Sequence, residues 1–457
     1  MTNASDGPLN TPLTDHPQPG TLDVSFFGHP RGLSTLFFTE MWERFSYYGM
    51  RAFLILYMAN ALKFDDKHAG SVYGTYTASV WAAAIFGGII ADRWLGQYKS
   101  VLIGGIIIMV GHFSLALHPL PFFYLGLACI VVGTGLLKPN VSGIVGSLYA
   151  THDSRRDAGF SIFYMGINLG AALGPFIAGY IAQRVDWHLG FACAGVGMTF
   201  GLIQYVRGRR HLQPAIERLA KRVREEKPAV RTPESGPQFL GFTGVEWKRL
   251  AAMAVFFVFA AIFWGAYEQA GSTLNLFGDR YSRLSILGFS FPSSWFQTVQ
   301  AIVLILLAPA FAWLWMRLGK REPSTPAKFA LALFFIGLSF VFLLPAARTI
   351  QAIPGIRVSP FWLIGCYFIQ EIGELCLSPV GLSVFTKLSP IKIAGMMLGV
   401  WFLADSVGNY VAGFAAGFIS SAPLPQLFGV IAAVCLGASL VAFLMIKPVR
   451  NLMGGIH

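Results

Sequence analysis

Long apolar segments alternate with short polar ones along almost the whole chain. Twelve of the apolar segments approach or exceed the roughly 20 residues that a helix needs to cross a bilayer. Their bounds are about 33–61, 71–91, 98–118, 121–148, 156–182, 188–206, 248–277, 293–317, 326–346, 358–386, 391–419 and 424–446. This pattern predicts an all-α membrane protein with twelve transmembrane helices.

The polar segments divide these spans into two groups of six. The predicted divisions are a disordered N-terminal tail at 1–32, a first six-helix bundle at 33–206, a linker at 207–247, a second bundle at 248–447 and a tail at 448–457. The linker is rich in Arg, Lys and Pro, and 211–226 could form a short amphipathic helix. Two six-helix bundles joined by a basic linker are typical of transporters with a central cavity.

Composition agrees with the membrane prediction, since 55% of the 457 residues are hydrophobic and 12% are charged. A net charge of +12 could suit a nucleic-acid partner, but most of the 34 Lys and Arg residues lie in short loops on the side of the two termini. Positive charge accumulates on the cytoplasmic side of membrane proteins. We therefore expect both termini to be cytoplasmic, in an inner or plasma membrane, with the lipid bilayer and no nucleic acid as partner.

Several function classes lack support in the sequence. The five cysteines lie inside apolar spans without metal-ligand spacing, and they are interpreted as free, buried thiols. No GxxxxGK[ST] loop indicates an ATP-driven motor, and no Ser/His/Asp or cofactor pattern indicates an enzyme. We expect no metal and no cofactor other than a coupling ion.

The first span carries ionisable side chains along one stripe. Glu40, Glu43, Arg44, Tyr47 and Arg51 recur at steps of three or four residues, which places them on one side of a helix. Charges at this depth cost at least a few kcal/mol each, so they must pair or line a cavity. A purely structural ion-pair cluster is the competing interpretation; a site that handles protons and substrate is the preferred one.

Ionisable residues within the other spans are mostly acidic. Six acids lie within spans: Glu40, Glu43, Glu268, Glu371, Glu374 and Asp405. Three bases accompany them: Arg44, Arg51 and Lys138. Because full ionisation would leave an excess of negative charge in a low dielectric, some carboxylates should hold a proton or meet a cationic substrate. That is the physical requirement for proton coupling.

Lys138 and Asn168 are the polar candidates on spans four and five. Lys138 precedes Pro139, and we expect it to pair with a carboxylate such as Glu40 or Glu43, unless it extends to the membrane surface. Asn168 lies among small residues, where it could contact substrate or only join helices.

The second half offers facing partners. Arg51 and Glu268 are expected to meet near the outer mouth. Glu374 begins a run with Ser378 and Pro379 that loosens the helix and could act as a hinge, and Glu371 lies one turn earlier. Three aromatic residues, Tyr73, Tyr76 and Trp401, could face the cavity, although interfacial, lipid-facing or core positions are alternatives.

Two sets of motifs resemble known families. The loop Gly88–Lys99, with Asp92 and Arg93, resembles the GxxxDRxGxx(R/K) loop of the major facilitator superfamily. There Asp92 would cap or pair across helix ends, and Gly96 would permit a tight turn. The run Glu40–Tyr48 fits the ExxERFxYY signature of the proton-dependent oligopeptide transporter family. Further segments resemble its signatures in the expected order: Gly133–Asn140, Phe163–Gly170, Glu268–Gln269 and Glu374–Gly381.

This resemblance implies the major facilitator superfamily fold and symport of protons with di- and tripeptides by alternating access. It assigns proton coupling to Glu40, Glu43, Arg44, Lys138 and Glu268. It assigns substrate binding to Arg51, Tyr47, Tyr76, Lys138, Asn168, Gln300, Glu374, Ser378 and Trp401. The implied gates are Arg51 with Glu268 outside and Lys138 with Glu374 inside, next to the inner-mouth loop residues Asp92 and Arg93.

The chain departs from the family pattern in two places. Bacterial members usually carry two extra helices between the bundles, but 207–247 is too short and polar for them. Helix eight often reads FQSxNP, whereas this chain has Gln300 and Ala301, which leaves room for a related substrate such as nitrate, an amino-acid conjugate or a peptide-like drug. A channel is a weaker alternative because the charges are of mixed sign. A single chain is expected to suffice as a monomer.

Overall fold

The computed structural model describes residues 26–149, 153, 155–225, 238–239, 241–390 and 393–454. Parts of the predicted tails and linker lie outside this set, namely 1–25, 226–237, 240 and 455–457. Within it, the first helix begins at Arg31, inside the predicted tail, after a short turn in which Phe26 pairs with His29.

The prediction of an all-α fold with twelve spans is confirmed by the described residues. In chain order the helices are α1 (Arg31–Asn60), α2 (Asp66–Ile90), α3 (Gln97–Leu115), α4 (Leu120–Ser147), α5 (Arg156–Arg184), α6 (Trp187–Arg207), α7 (Arg209–Glu225), α8 (Gly244–Tyr267), α9 (Thr273–Tyr281), α10 (Trp295–Leu318), α11 (Thr325–Ala352), α12 (Phe361–Leu388), α13 (Ala394–Ala416), α14 (Leu424–Leu444) and α15 (Ile446–Leu452). Ten spans are long and apolar enough to cross a membrane by composition alone. The other two, α1 and α13, carry ionisable side chains within the span.

Helices α1–α6 form the first bundle and α8–α14 the second. In the first, α1 packs against α5 and α6, and α3 against α4; in the second, α11 packs against α12 and α14, and α8 against α13. The face that carries α7 and α15 is called the α7 face below, and the opposite one the far face. Helix α7 occupies the start of the linker and covers almost the same residues as the predicted amphipathic helix at 211–226.

The seventh span is broken, which the sequence did not predict. Helix α8 ends at Tyr267, a single 3₁₀ turn covers Glu268–Gly271, and α9 resumes at Thr273. The Glu268 amide still donates to the carbonyl oxygen of Trp264, as in a regular helix, whereas the Ser272 amide donates to Gln269, three residues earlier, so the helical ladder changes within this turn at membrane depth. Irregular backbone of this kind occurs in membrane proteins where it is buried in protein or lines a cavity.

The two bundles meet closely at the far face through glycines of α2 and α13. A Cβ atom added to Gly413 would lie 2.3 Å from the Cα of Gly74 and 2.5 Å from the carbonyl oxygen of Gly70. Small residues at a helix interface allow such close backbone approach. Helices α5 and α10 provide the second contact between the bundles.

The loop after α2 has the expected tight turn. A π-helical turn at Ala91–Leu95 is followed by Gly96 with φ of +74°, a left-handed conformation that favours glycine. Asp92 accepts a hydrogen bond of 2.8 Å from Gln97 Nε2, and Arg93 is exposed. Short strand pairs complete the loops: β1 (Gln238–Phe239) with β2 (Phe242–Thr243), and β3 (Ser285–Ile286) with β4 (Phe289–Ser290).

Candidate functional site between the bundles

The ionisable stripe of α1 forms a buried ion-pair cluster. Arg44 Nη2 donates to Glu43 Oε1 at 2.7 Å, and Arg44 Nε lies 3.4 Å from Glu40 Oε1. All three side chains are almost fully buried, and Glu40 Oε2 has no hydrogen-bond partner. The guanidinium carbon of Arg44 lies 5.2 Å from the ring centroid of Tyr47. One guanidinium thus faces two carboxylates, so the cluster carries a spare negative charge when both are ionised.

Arg51 joins the two bundles at the next level toward the far face. Its Nη2 forms an ion pair with Glu268 at the break of the seventh span, and its Nε donates to the hydroxyl of Tyr73 at 2.7 Å. Asn275 Nδ2, on α9, donates to the carbonyl oxygen of Ala52 at 2.7 Å. The expected meeting of Arg51 with Glu268 is present, and it holds α1 against the broken span.

Lys138 does not have the carboxylate partner that the sequence analysis expected. Its ammonium nitrogen lies 3.2 Å from the ring centroid of Trp81 on α2, and it makes no ion pair with Glu40, Glu43 or Glu374. Arg44 holds both acids of α1 on its own guanidinium, so neither carboxylate reaches the lysine in this arrangement. The ring of Trp81 stacks on Phe402 of α13 at 5.9 Å. Lys138 therefore stays between the bundles and does not extend to the membrane surface.

Glu374 is held within its own bundle, so the expected Lys138–Glu374 pair is not formed here. The hydroxyl of Tyr267 contacts Glu374 Oε2, and it also lies 2.9 Å from Glu371 Oε1. Ser378 Oγ donates to Glu374 Oε1 at 3.4 Å. Nearby on α13, Asp405 is buried and accepts a hydrogen bond of 2.8 Å from Asn409. The second bundle thus gathers several carboxyl groups, and none of its described bases lies beside them.

The predicted amide residues lie on opposite sides of the gap between the bundles. Asn168 on α5 is 8% exposed and donates to the carbonyl oxygen of Tyr164, four residues earlier. Gln300 on α10 is 9% exposed, and its Nε2 has no hydrogen-bond partner. Gln300 also lies beside Glu371. Because the Gln300 amide adjoins Glu371, it lies where a ligand that reaches the acids of the second bundle could contact it.

Aromatic residues line the same region. Tyr47 and Tyr76 are buried, and neither hydroxyl has a hydrogen-bond partner. Trp401 is 7% exposed and packs on Phe385 with ring centroids 5.3 Å apart. Gly381 makes room for it, since an added Cβ would lie 2.0 Å from the indole. Trp401 is therefore a wall of the second bundle, and it does not face lipid.

Sequence reasoning missed a polar seal at the far face. Arg280, at the end of α9, donates two hydrogen bonds to Asp66 at the start of α2, of 2.6 and 2.8 Å. Ser420 donates to the same carboxylate at 2.5 Å. Nearby, Gln183 binds Ser293 at 2.8 Å. These residues fall in loops and helix ends, where charged and polar side chains are common and carry no distinctive pattern.

The bundles are joined by polar contacts at the far face, and the contact of the predicted inner gate is not formed. Asp66 with Arg280 and Arg51 with Glu268 are paired, whereas Lys138 and Glu374 each have other neighbours. Between these levels lie the unpaired polar atoms of Tyr47, Tyr76 and Gln300, named above. Groups of both charge signs on the two sides of this gap could bind a small molecule with one anionic and one cationic end.

Comparisons with known proteins agree on one family. A family model described as the POT family matches residues 98–220 and 243–433, which is more than half of the chain. The uncharacterized transporter YclF of Bacillus subtilis (strain 168) is 39% identical, with 94% of this chain and 96% of that protein covered. The peptide transporter YePEPT of Yersinia enterocolitica is 35% identical, with 94% and 96% covered. A di-/tripeptide transporter of Lactococcus lactis subsp. cremoris is 34% identical, with 95% and 99% covered.

Solved structures give the same result. A crystal structure of the peptide transporter POT in complex with sulfate is 38% identical, with a TM-score of 0.84 and coverage of 94% of this chain and 97% of that one. A POT family transporter in complex with 5-aminolevulinic acid is 30% identical, with a TM-score of 0.81 and coverage of 93% and 98%. Both neighbours are transporters, and the match to this chain covers nearly the full length of each.

Proposed function

This chain belongs to the POT family of multi-pass membrane transporters, and on that premise we propose that it is a proton-coupled symporter for di- and tripeptides. It imports them across the cytoplasmic membrane by alternating access, with the proton as its coupling ion. The relatives named as peptide and di-/tripeptide transporters support the substrate class.

The observation that carries the proposal is the division of charge between the bundles. The first bundle contributes the bases Arg51 and Lys138 and the amide of Asn168, and the second contributes Glu374. A peptide at neutral pH has an ammonium group at one end and a carboxylate at the other. The basic side would bind the carboxylate and the acidic side the ammonium group, which matches one zwitterion spanning the gap.

The α1 cluster supports proton coupling. Arg44 is shared by two carboxylates, and Glu40 Oε2 has no partner. Protonation of one carboxyl would leave a neutral pair with the other, which suits a group that gains and loses a proton during transport. We assign the coupling proton to Glu40 and Glu43, with Arg44 and Lys138 setting the local charge and Glu268 linking it to the far-face gate.

Orientation follows from the distribution of basic residues. The α7 face carries most of the Lys and Arg residues outside the spans, so we assign this face, with both termini, to the cytoplasm. The far face would then open to the outside and the Lys138–Glu374 level to the inside. Both bundles and the whole site come from one chain, so the proposal needs no second copy.

Uptake of labelled dialanine into proteoliposomes tests this function. We expect accumulation that needs an inward proton gradient and is competed by tripeptides. One proton moving down 100 mV gains about 2.3 kcal/mol, enough for roughly 50-fold accumulation of a neutral zwitterion. Glu43→Gln should abolish this accumulation while dialanine exchange continues. Absence of dialanine uptake by folded protein would reject the peptide assignment, and accumulation by the variant would reject the role of Glu43.

A related substrate is a second candidate because of Gln300. Its amide occupies the position where the family often has asparagine, next to the acidic patch formed by Glu371 and Glu374. A structural neighbour was crystallised with 5-aminolevulinic acid, which also has one ammonium and one carboxylate end. Competition of dialanine uptake by this compound would distinguish a narrow peptide carrier from one that accepts any zwitterion of suitable length.

A further inference from the structure

A single phenol hydroxyl lies between two carboxyl groups in the second bundle. Tyr267 Oη contacts Glu374 Oε2 and lies 2.9 Å from Glu371 Oε1. A phenol has one hydrogen and can donate it to only one acceptor. If both carboxyls were ionised, one of them would face the lone pairs of Tyr267 without a hydrogen between the oxygens. The contacts therefore require one further proton, on one of the two carboxyls.

Burial indicates which carboxyl holds that proton. Glu371 is fully buried, and its Oε2 has no hydrogen-bond partner. Glu374 is 8% exposed and has a second donor, Ser378. An ionised carboxylate needs hydrogen bonds or solvent on both oxygens, and the cost of burying it without them is high. The negative charge therefore belongs on Glu374 and the proton on Glu371.

The neighbours of Glu371 do not change this assignment. Gln300 from α10 and Tyr164 from α5 lie nearby, and neither side chain is cationic. The charged group beside Glu371 is Glu374, whose negative charge opposes a second negative charge on Glu371. No ion pair to Glu371 is present among the described residues, so no cation compensates a charge on it.

We propose that Glu371 is a permanently neutral acid that positions the substrate-binding carboxylate. It donates its hydrogen to the oxygen of Tyr267, and Tyr267 donates its own hydrogen to Glu374. These two hydrogen bonds fix the rotation of the phenol hydroxyl and confine one negative charge to Glu374, the residue that faces the gap. The acidic patch then carries a single charge, matched to a single ammonium group. This inference rests on the proposed function for the identity of the ligand, but not for the position of the proton.

The position of the proton can be measured without substrate. Infrared spectra of the purified protein in H₂O and D₂O should contain a carboxylic-acid carbonyl band that Glu371→Gln removes. The matched control is Tyr367→Phe, one turn earlier on α12, because its buried hydroxyl has no partner. Retention of the whole band in Glu371→Gln, or its loss in Glu374→Gln instead, would overturn the assignment of the proton to Glu371.

The positioning role is tested by dialanine binding to two variants of similar size. Glu371→Gln keeps a donor toward Tyr267 and should bind within about twofold of the unmodified protein, whereas Glu371→Leu removes the donor and should bind about tenfold more weakly. Tyr267→Phe should resemble Glu371→Leu. If Glu371 were an ionised ligand, Glu371→Gln would lose affinity as well, and if it were unimportant, both variants would bind normally. A protein that binds no dialanine at all would refute the proposed function, and the infrared result would still decide the protonation.

Discussion

The glycine contact between α2 and α13 offers a direct test of how the far face closes. We consider Gly413→Ala, which adds one methyl group. The new Cβ would lie 2.3 Å from the Cα of Gly74 and 2.5 Å from the carbonyl oxygen of Gly70. Both obstacles are backbone atoms, which cannot move aside by a rotamer change. The two helices must therefore separate at the far face.

Overpacking of this kind typically costs about 1–3 kcal/mol. Since the clash exists only while α2 and α13 are in contact, the cost falls on the far-closed state. The ratio of far-open to far-closed molecules should rise by about 5- to 150-fold. Gly429→Ala on α14 is the matched control, because an added Cβ there meets nothing within 4 Å.

Spin labels at Val185 and Leu287 can report the change. Both positions are exposed, one on each bundle, at the far face. We expect Gly413→Ala to shift the interspin distance distribution toward longer values and Gly429→Ala to leave it unchanged. If Gly413→Ala gives the distribution of the unmodified protein with full stability, the close glycine contact is not what limits closure. Dialanine uptake by the same variants would show whether the shift reaches transport.

Three further changes address the other levels of the site. Trp81→Ala removes the ring beneath Lys138. Since a desolvated cation–π contact is worth about 2 kcal/mol, the far-closed state should become less populated in the same spin-label assay. An unchanged distance distribution would show that the ring does not hold the lysine. Asp66→Asn and Arg280→Gln should show a coupling of about 1 kcal/mol for far-face closure in a double-mutant cycle, because the pair is bidentate but partly exposed; additive effects would contradict this. Lys138→Ala should lose dialanine uptake and binding together, and normal uptake would remove Lys138 from the mechanism.

The sequence predicted the spans well because each consists of an apolar run of fixed minimal length. It also placed the α1 cluster, since Glu40, Glu43 and Arg44 are neighbours on one helix and helical spacing alone brings them together. The break at Glu268–Gly271 was missed because it lies within one long span and has no proline to mark it, although Glu268, Gln269 and Gly271 interrupt the apolar sequence there. Such a break depends on the helices packed around it.

Contacts between distant segments were predicted only where opposite charges suggested them. Arg51 and Glu268 were paired in this way. By the same reasoning Lys138 was assigned a carboxylate, yet it lies on Trp81, an aromatic residue without any distinguishing pattern. Tyr267 and Glu371 are 104 residues apart. Tyr267 precedes Glu268 in the sequence, and nothing in that order indicates that its hydroxyl lies between Glu371 and Glu374.

The proposed transport cycle follows from the different partners of the two bases that face the gap, Arg51 toward the far face and Lys138 toward the α7 face. Arg51 now holds Glu268 and Tyr73, and its neighbours toward the far face are paired as well. Lys138, nearer the α7 face, rests on an aromatic ring that offers less than a carboxylate would. If each bundle tilts as a rigid body so that Lys138 reaches Glu374, the far-face pairs must part, because the two levels lie on opposite sides of the site. Only one gate can then be closed by its full set of ion pairs at a time, which is the condition for alternating access.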